Sequence, residues 1–398
     1  MRCLAAVALL VVAACAPTQP VSVQSPTRSV AESATASPTR PVPTPAPTPT
    51  PTPGPAGATV EVIARGLEAP WAIDLAPDGR LFVTERPGRI RVIRDGVLLP
   101  APWATLPAVS QPDREMGLLG LALDPEFALT RLVYVYYTYR APNGSLQNRL
   151  VRLRDEDGRG VDERILLDGI VGGDRHDGGR VRFGPDGLLY VTTGEAERSA
   201  LAQDRTSLSG KVLRLRRDGG VPEGNPFLGS YVYSLGHRHP QGLAFDARGV
   251  LYATEHGPSG DPRRGQACCH DEVNRIEPGA NYGWPLVFGI ARNSQFRDPV
   301  HESGDDTWAP SGATFVTRGR HAGSLLFAAL RGEHLHRLVF GADGTTVVFE
   351  ERLLARQFGR LRDVFEAPDG TLYVLTQNRD GRGRPAPDDD RVLRVVLR

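Results

Sequence analysis

The stretch Gly173-Asp174-Arg175-His176-Asp177-Gly178-Gly179-Arg180 sets an imidazole and a guanidinium in a glycine-rich loop. An imidazole titrates near working pH, so His176 is suited to take a proton from a substrate hydroxyl. Other polar clusters recur once each: Glu115, Gly236-His237-Arg238-His239-Pro240-Gln241-Gly242, His256-Gly257-Pro258, Arg331 and Arg360-Leu361-Arg362-Asp363. One histidine meeting several arginines suits an anionic cofactor or substrate, because the guanidinium fork matches carboxylates two bonds at a time.

The elements that must hold these loops are legible as a repeat. The histidine loop runs straight into Val181-Arg-Phe-Gly-Pro185-Asp186-Gly187-Leu-Leu-Tyr-Val191, a strand, a turn and a second strand. Copies stand at Ile73–Glu85, Leu243–Glu255 and Val364–Thr376, and a degenerate one begins at Leu119 and continues through Leu132–Thr138. Proline presets the first turn angle, aspartate bonds the local backbone, and glycine accepts positive φ. Period-two alternation marks half-buried strands. A spacing of roughly sixty residues, or twice that, gives about six blades. With 44 glycines, 34 prolines and few helix signals, the expected fold is all-β, a six-bladed β-propeller. A pair of β-sandwiches is the competing architecture, but it does not require a hairpin at fixed period. In a propeller, unique loops beside the inner strands converge at one mouth of the channel.

Not all 398 residues belong to that fold. Residues 1–15 read as a lipoprotein-type signal: Arg2, a short apolar run, then Val12-Ala13-Ala14-Cys15, with Cys15 the lipidated residue. Residues 16–57, dominated by Pro, Thr, Ser and Ala, read as an extended tether. The propeller is expected over 58–398. The implied location is exported, periplasmic or cell-surface, with membrane contact through the lipid anchor alone. A net charge of +1 offers no broad field for nucleic acid. Cys268 and Cys269 are adjacent beside His270 and Asp271, open to a vicinal disulfide, two thiols or a soft-metal site, with a local structural role favoured. The acidic triplets 155–157 and 388–390 read as solvated turns. His334 and His336, with no third ligand nearby in sequence, read as blade-surface residues.

Taken in order, the segments Glu115–Phe127, His176-Asp-Gly-Gly-Arg180, Gly236–Leu243, Glu255-His-Gly-Pro258, Asp271-Glu272-Val-Asn274 and Asn281-Tyr-Gly-Trp-Pro285 resemble the soluble quinoprotein glucose dehydrogenase and aldose sugar dehydrogenase family. The resemblance spans essentially the whole folded part. It implies a six-bladed propeller that binds pyrroloquinoline quinone (PQQ) and calcium and oxidises aldoses at the anomeric carbon to lactones. It implies His176 as the base and Arg238 at the reacting quinone oxygen. Arg331, Thr307, Arg360 and Arg362 are implied cofactor contacts, the last two holding carboxylates. The carbonyls of Gly257 and Pro258 are implied ligands of a catalytic calcium. Glu272 and the Tyr282 carbonyl are implied ligands of a second, structural one. Glu115, Arg175, His239 and His256 complete the implied set around the cofactor. Glu115 stands where better-known members carry glutamine, Arg175 where they carry aspartate, and His239 where they carry asparagine. The implied partners are an aldose and an electron acceptor, whether a quinone, a cytochrome or a dye. A calcium-dependent propeller hydrolase of the lactonase type and a non-enzymatic binding propeller are the alternative functions.

Overall fold

Each Pro-Asp-Gly turn folds as its residues dictate. In a computed structural model describing residues 58–260, 264 and 266–397, the turn glycines Gly79, Gly187 and Gly370 have φ between +72° and +89°. The turn aspartates Asp78, Asp186 and Asp369 accept the backbone N–H two residues on, at 3.2, 3.1 and 2.8 Å. These three hairpins are inner halves of three of the six antiparallel sheets; five sheets have four strands and one has five.

The inner strands are Pro70–Leu75, Leu118–Leu123, Gly178–Phe183, Pro240–Phe245, Pro310–Phe315 and Leu361–Glu366. Each touches the next around a complete circle, the sixth returning to the first. The ring is latched by its ends: Ala58–Ala64 forms the outer strand of the last sheet and pairs antiparallel with Val392–Leu397. This is the expected six-bladed propeller. The degenerate copy is a full second blade, with Leu118–Leu123 buried throughout. The fifth blade gave no repeat signal, because its first turn carries a 3-10 segment, Gly319–His321, in place of Pro-Asp-Gly. Among the described residues no helix is long and apolar enough to cross a membrane. The expected signal and tether, residues 1–57, lie outside the described residues.

Polar side chains close the channel midway. Arg180, 2% exposed, donates to Asp363 Oδ2 and to the Gln241 carbonyl, both at 2.8 Å. Its guanidinium lies 4.2 Å from the Trp71 ring centroid. A Cβ on Gly312 would fall 1.6 Å from Asp363 Oδ1, so this inner-strand position excludes any side chain. The mouth therefore has a floor.

Three surface expectations are corrected. Asp155 is buried, bonded to Trp103 Nε1 at 2.6 Å and Arg80 Nη2 at 2.5 Å, since strand alternation turns it inward while its neighbours face solvent. Asp389 and Asp390 are buried, and Asp390 accepts backbone N–H groups of Ala69, Asn378 and Arg379. His334 and His336 are each 1% exposed, in the seam between two blades.

Candidate active site

Where the inner strands begin, a cleft of about 1000 Å³ opens. Glu115, Arg175, His176, Arg238, His256, Gly257, Pro258, Thr307, Arg331, Arg360 and Arg362 all line it. Each stands at the start of an inner strand, just before one, or just after the neighbouring strand. Residues far apart in sequence are thus brought to one mouth by the repeat. His239 lies beneath the surface, 1% exposed. Glu272 and Tyr282 line a separate pocket of about 10 Å³.

His176 is held in the left-handed region at φ +59°. Its N–H donates to Glu115 Oε2 at 2.9 Å, and its carbonyl accepts the Ala196 N–H at 3.0 Å. Gly194 has to be glycine, because a Cβ there would sit 1.8 Å from that carbonyl oxygen. The ring's Nδ1 is 2.6 Å from Oε1 of Glu195, which is 2% exposed. An ionised carboxylate can only accept, so Nδ1 carries the proton and Nε2 keeps a lone pair. Nε2 makes no hydrogen bond among the described residues, on a ring that lines the cleft. A fixed tautomer with a buried carboxylate behind it is the arrangement of a general base.

Below, Gly178 N–H donates to His239 Nδ1 at 3.2 Å, and His239 Nε2 lies 3.1 Å from Glu115 Oε2 and against the side-chain amide of Gln241. Burial holds His239 below the ordinary histidine range. Burial alone would push Glu115 up, but His239, His176 and Arg382 outweigh it and hold the carboxyl well below the usual range. Arg382 bonds the other oxygen of Glu115 at 2.8 Å.

The arginines divide by partner. Arg360 is neutralised by Asp380 at 2.9 Å, and Arg175 stands 3.8 Å from Glu197. Arg331 is exposed at the rim. Arg362, 5% exposed, donates to amide oxygens of Gln377 and Gln241 and to Ser311 Oγ. Arg238, 6% exposed, donates to the His256 carbonyl at 3.3 Å and Ser259 Oγ at 3.1 Å, over the Trp284 ring. Neither has a carboxylate in ion-pair range among the described residues, and burial pushes both below the ordinary arginine range. A buried cation without a counter-charge is costly. An anion entering the cleft would supply one.

The far wall is built on Asp271, which is 4% exposed. It accepts the N–H groups of Gly257, Trp308 and Ala309 at 3.0, 2.7 and 2.8 Å, and Thr307 Oγ1 at 3.3 Å. Cys268 and Cys269 are joined as a vicinal disulfide, the structural alternative of the sequence reading. A Cβ on Gly257 would come within 1.8 Å of the Cys269 carbonyl oxygen. The carbonyls of Gly257 and Pro258 accept no hydrogen bond among the described residues, as hard oxygen ligands for a cation would require. In the small pocket, Glu272 faces Glu255 across paired strands. Burial and that neighbouring charge push Glu272 up to about 8. Two buried carboxylates in a pocket that Tyr282 also lines offer the hard oxygens that calcium takes.

Glu195, Asp380 and Arg382 escaped the sequence reading. Glu195 carried no repeat signal: its hairpin strand ends at Thr193 where two others end at Glu85 and Glu255, and Glu195 lies two residues beyond.

A family model described as glucose/sorbosone dehydrogenase matches residues 67–392. Quinoprotein glucose dehydrogenase B of Acinetobacter calcoaceticus is 34% identical over 433 residues, covering 84% of this chain and 88% of its own. Aldose sugar dehydrogenase YliI of Escherichia coli K12 is 31% identical over 352 residues, covering 82% and 92%. The PQQ-bound aldose sugar dehydrogenase of Streptomyces coelicolor matches with a TM-score of 0.76 at 38% identity, covering 87% of this chain and 100% of that one. A match of this extent, on a six-bladed ring with the expected loops at its mouth, makes the chain a member of the glucose/sorbosone dehydrogenase family.

Proposed function

We propose that the protein oxidises aldose sugars at the anomeric carbon to lactones, with PQQ as cofactor and calcium as its co-ligand. One observation carries this reading: His176 Nε2, oriented by Glu195, lies in a cleft whose buried Arg362 and Arg238 lack carboxylate partners. Arg362, Arg360, Arg331 and Thr307 would hold the carboxylates of the cofactor, and the carbonyls of Gly257 and Pro258 the calcium beside it. When bound, the quinone supplies the electrophilic carbonyl that accepts hydride. His176 Nε2 takes the proton of the anomeric hydroxyl, and the Glu195 carboxylate stabilises the imidazolium that results. Arg238 presents positive charge where negative charge develops on oxygen. Arg175 and Glu115, at the open side, orient the sugar. Glu272 and the Tyr282 carbonyl hold a second calcium that braces the loop behind Arg238.

The electrons pass to an external acceptor, a quinone, a cytochrome or a dye. The chain is exported and anchored at the outer face of a membrane through lipid on Cys15. Reduction of a redox dye by aldoses, with and without added PQQ and calcium, tests the activity. A rate that needs an aldose, the quinone and calcium together is the expected result. No quinone-dependent rate with any aldose would overturn the reading.

A further inference from the structure

Away from the cleft, His301 belongs to the outer strand of the fourth blade, His301–Glu302. His336 and Glu350 belong to the two outer strands of the fifth, His334–Phe340 and Val347–Leu353. One ligand atom from each lies within 4.8 Å of the other two. His301 Nε2 is 2.7 Å from Glu350 Oε2, and His336 Nε2 is 3.6 Å from the same oxygen.

The tautomer of His336 is fixed by a relay. The Gly332 carbonyl is 2.9 Å from His334 Nδ1, so that nitrogen carries a proton and His334 Nε2 accepts. His336 Nδ1, 3.0 Å from it, must then donate. What remains is a lone pair on His336 Nε2, buried and without a hydrogen-bond partner. The ring is clamped by Phe327, stacked at 4.6 Å, and by Trp308 at 4.8 Å. A buried, oriented, unpartnered nitrogen is expensive unless something takes it up. Histidine ligands of metals are held in this way, with the second ring nitrogen donating to a fixed acceptor. Burial above all pushes His336 below the ordinary histidine range, with Arg352 a further contributor. Arg352 is itself held by Asp306 at 2.9 Å.

We propose that the seam between the fourth and fifth blades binds a divalent d-block ion, such as zinc, through His301, His336 and Glu350. Two imidazoles and one carboxylate are a borderline donor set, which selects zinc, cobalt or nickel over calcium. Bonds of about 2.0–2.1 Å to a tetrahedral ion separate ligand atoms by roughly 3.3 Å. Small rotations of His301 and Glu350, the two partly exposed members, bring the observed spacings there. Water completes the coordination, since the Glu350 side chain is 53% exposed. The ion would clip two neighbouring blades together on the flank of the ring.

The test uses the full chain with PQQ and excess calcium bound, titrated with cobalt(II) alone and then with zinc(II) alone. One equivalent of cobalt giving the strong visible bands of four-coordinate geometry, displaced by zinc, is expected, with a higher Tm in zinc. His301→Gln and Glu350→Gln should each weaken cobalt binding at least about tenfold and abolish the zinc-dependent rise in Tm. With PQQ and calcium but no added cobalt or zinc, their dehydrogenase rates should stay at the wild-type level. Because both side chains are partly exposed, these variants stay informative even if substitution of buried His336 prevents folding. Absence of the cobalt bands would overturn the proposal. So would bands that survive in both variants and vanish in His176→Asn, which would place the ion in the cleft.

Discussion

The two ends of the propeller are built from the same six inner strands, yet they obey opposite rules. At the far end, where the hairpin turns lie, a hollow of about 500 Å³ is lined by Phe183, Phe245, Phe315 and Phe365, one from each of four blades. The repeat places the same residue at the same position, and the turns satisfy their own backbone locally. At the mouth, the residues that line the cleft beside the inner strands differ from blade to blade: Glu115, His176, Arg238, Thr307 and Arg360. Arg238 and Arg362 are buried there without a carboxylate partner among the described residues, and His176 is held at positive φ. Repetition serves the framework; departure from repetition marks the end where chemistry is placed.

Breaking the mouth should therefore cost activity without costing the fold. The largest effect is expected from His176→Ala, which removes the proton acceptor. Steady-state kinetics should show kcat lower by about 10²–10⁴, while the absorption change on adding PQQ persists. Turnover near the wild-type rate would exclude His176 as base. Next is Arg362→Met. A hydrogen bond to a charged group contributes about 1.5–3 kcal/mol, so PQQ affinity measured by fluorescence titration should fall roughly 10- to 100-fold. Relieved of a buried unpaired cation, the apo variant should melt no lower than wild type.

Glu195→Gln comes third. It keeps the shape and a hydrogen bond to Nδ1 but removes the charge that stabilises imidazolium. A loss in kcat of about tenfold is expected, smaller than for His176→Ala, with the absorption change on adding PQQ retained. An unchanged kcat would make Glu195 a packing residue.

The contrast between the ends also explains what could be read in advance. Strand alternation and Pro-Asp-Gly turns are local, so five of the six blades announced themselves, and the fifth stayed silent where Gly319–His321 replaces the turn. The site residues on loops were legible as an ordered set of unusual motifs. Glu195 was not, because its role depends on a contact with His176 across two strands of one blade. Arg382 likewise acts through a neighbour distant in sequence. The inward faces of Asp155 and His336 show the same limit: a short polar run gives no sign of which member a pleat turns into the core. The His301–His336–Glu350 cluster, drawn from two blades, is invisible to any spacing rule.

The smallest predicted effects are on stability, and they should differ in sign between the ends. Asp177, at the mouth, has one oxygen bonded to Asn148 Nδ2 at 2.7 Å and Gly173 N–H at 3.0 Å, while the other is buried without a partner. Burial pushes its carboxyl up to about 7. The unfolded chain releases that proton near pH 3.8. Between there and pH 7 the folded state therefore binds the extra proton, and stability falls as pH rises through the window. Asp177→Asn keeps both accepted bonds and carries no charge. Its Tm relative to wild type should climb by a few degrees from pH 4 to pH 8. Asp186, in a turn at the far end, is the counterpart. Burial pulls it up, but Arg214 at 2.8 Å, the Leu188 N–H and the Tyr190 hydroxyl outweigh that and hold it below its ordinary value. Its contribution is present above pH 3.8 and is lost as pH falls through its folded value. Asp186→Asn should lower Tm slightly at neutral pH, by the equivalent of about 1 kcal/mol or less for a partly exposed pair, and leave kcat, KM and PQQ affinity untouched. If both substitutions moved Tm in the same direction at pH 8, strain would not be concentrated at the mouth.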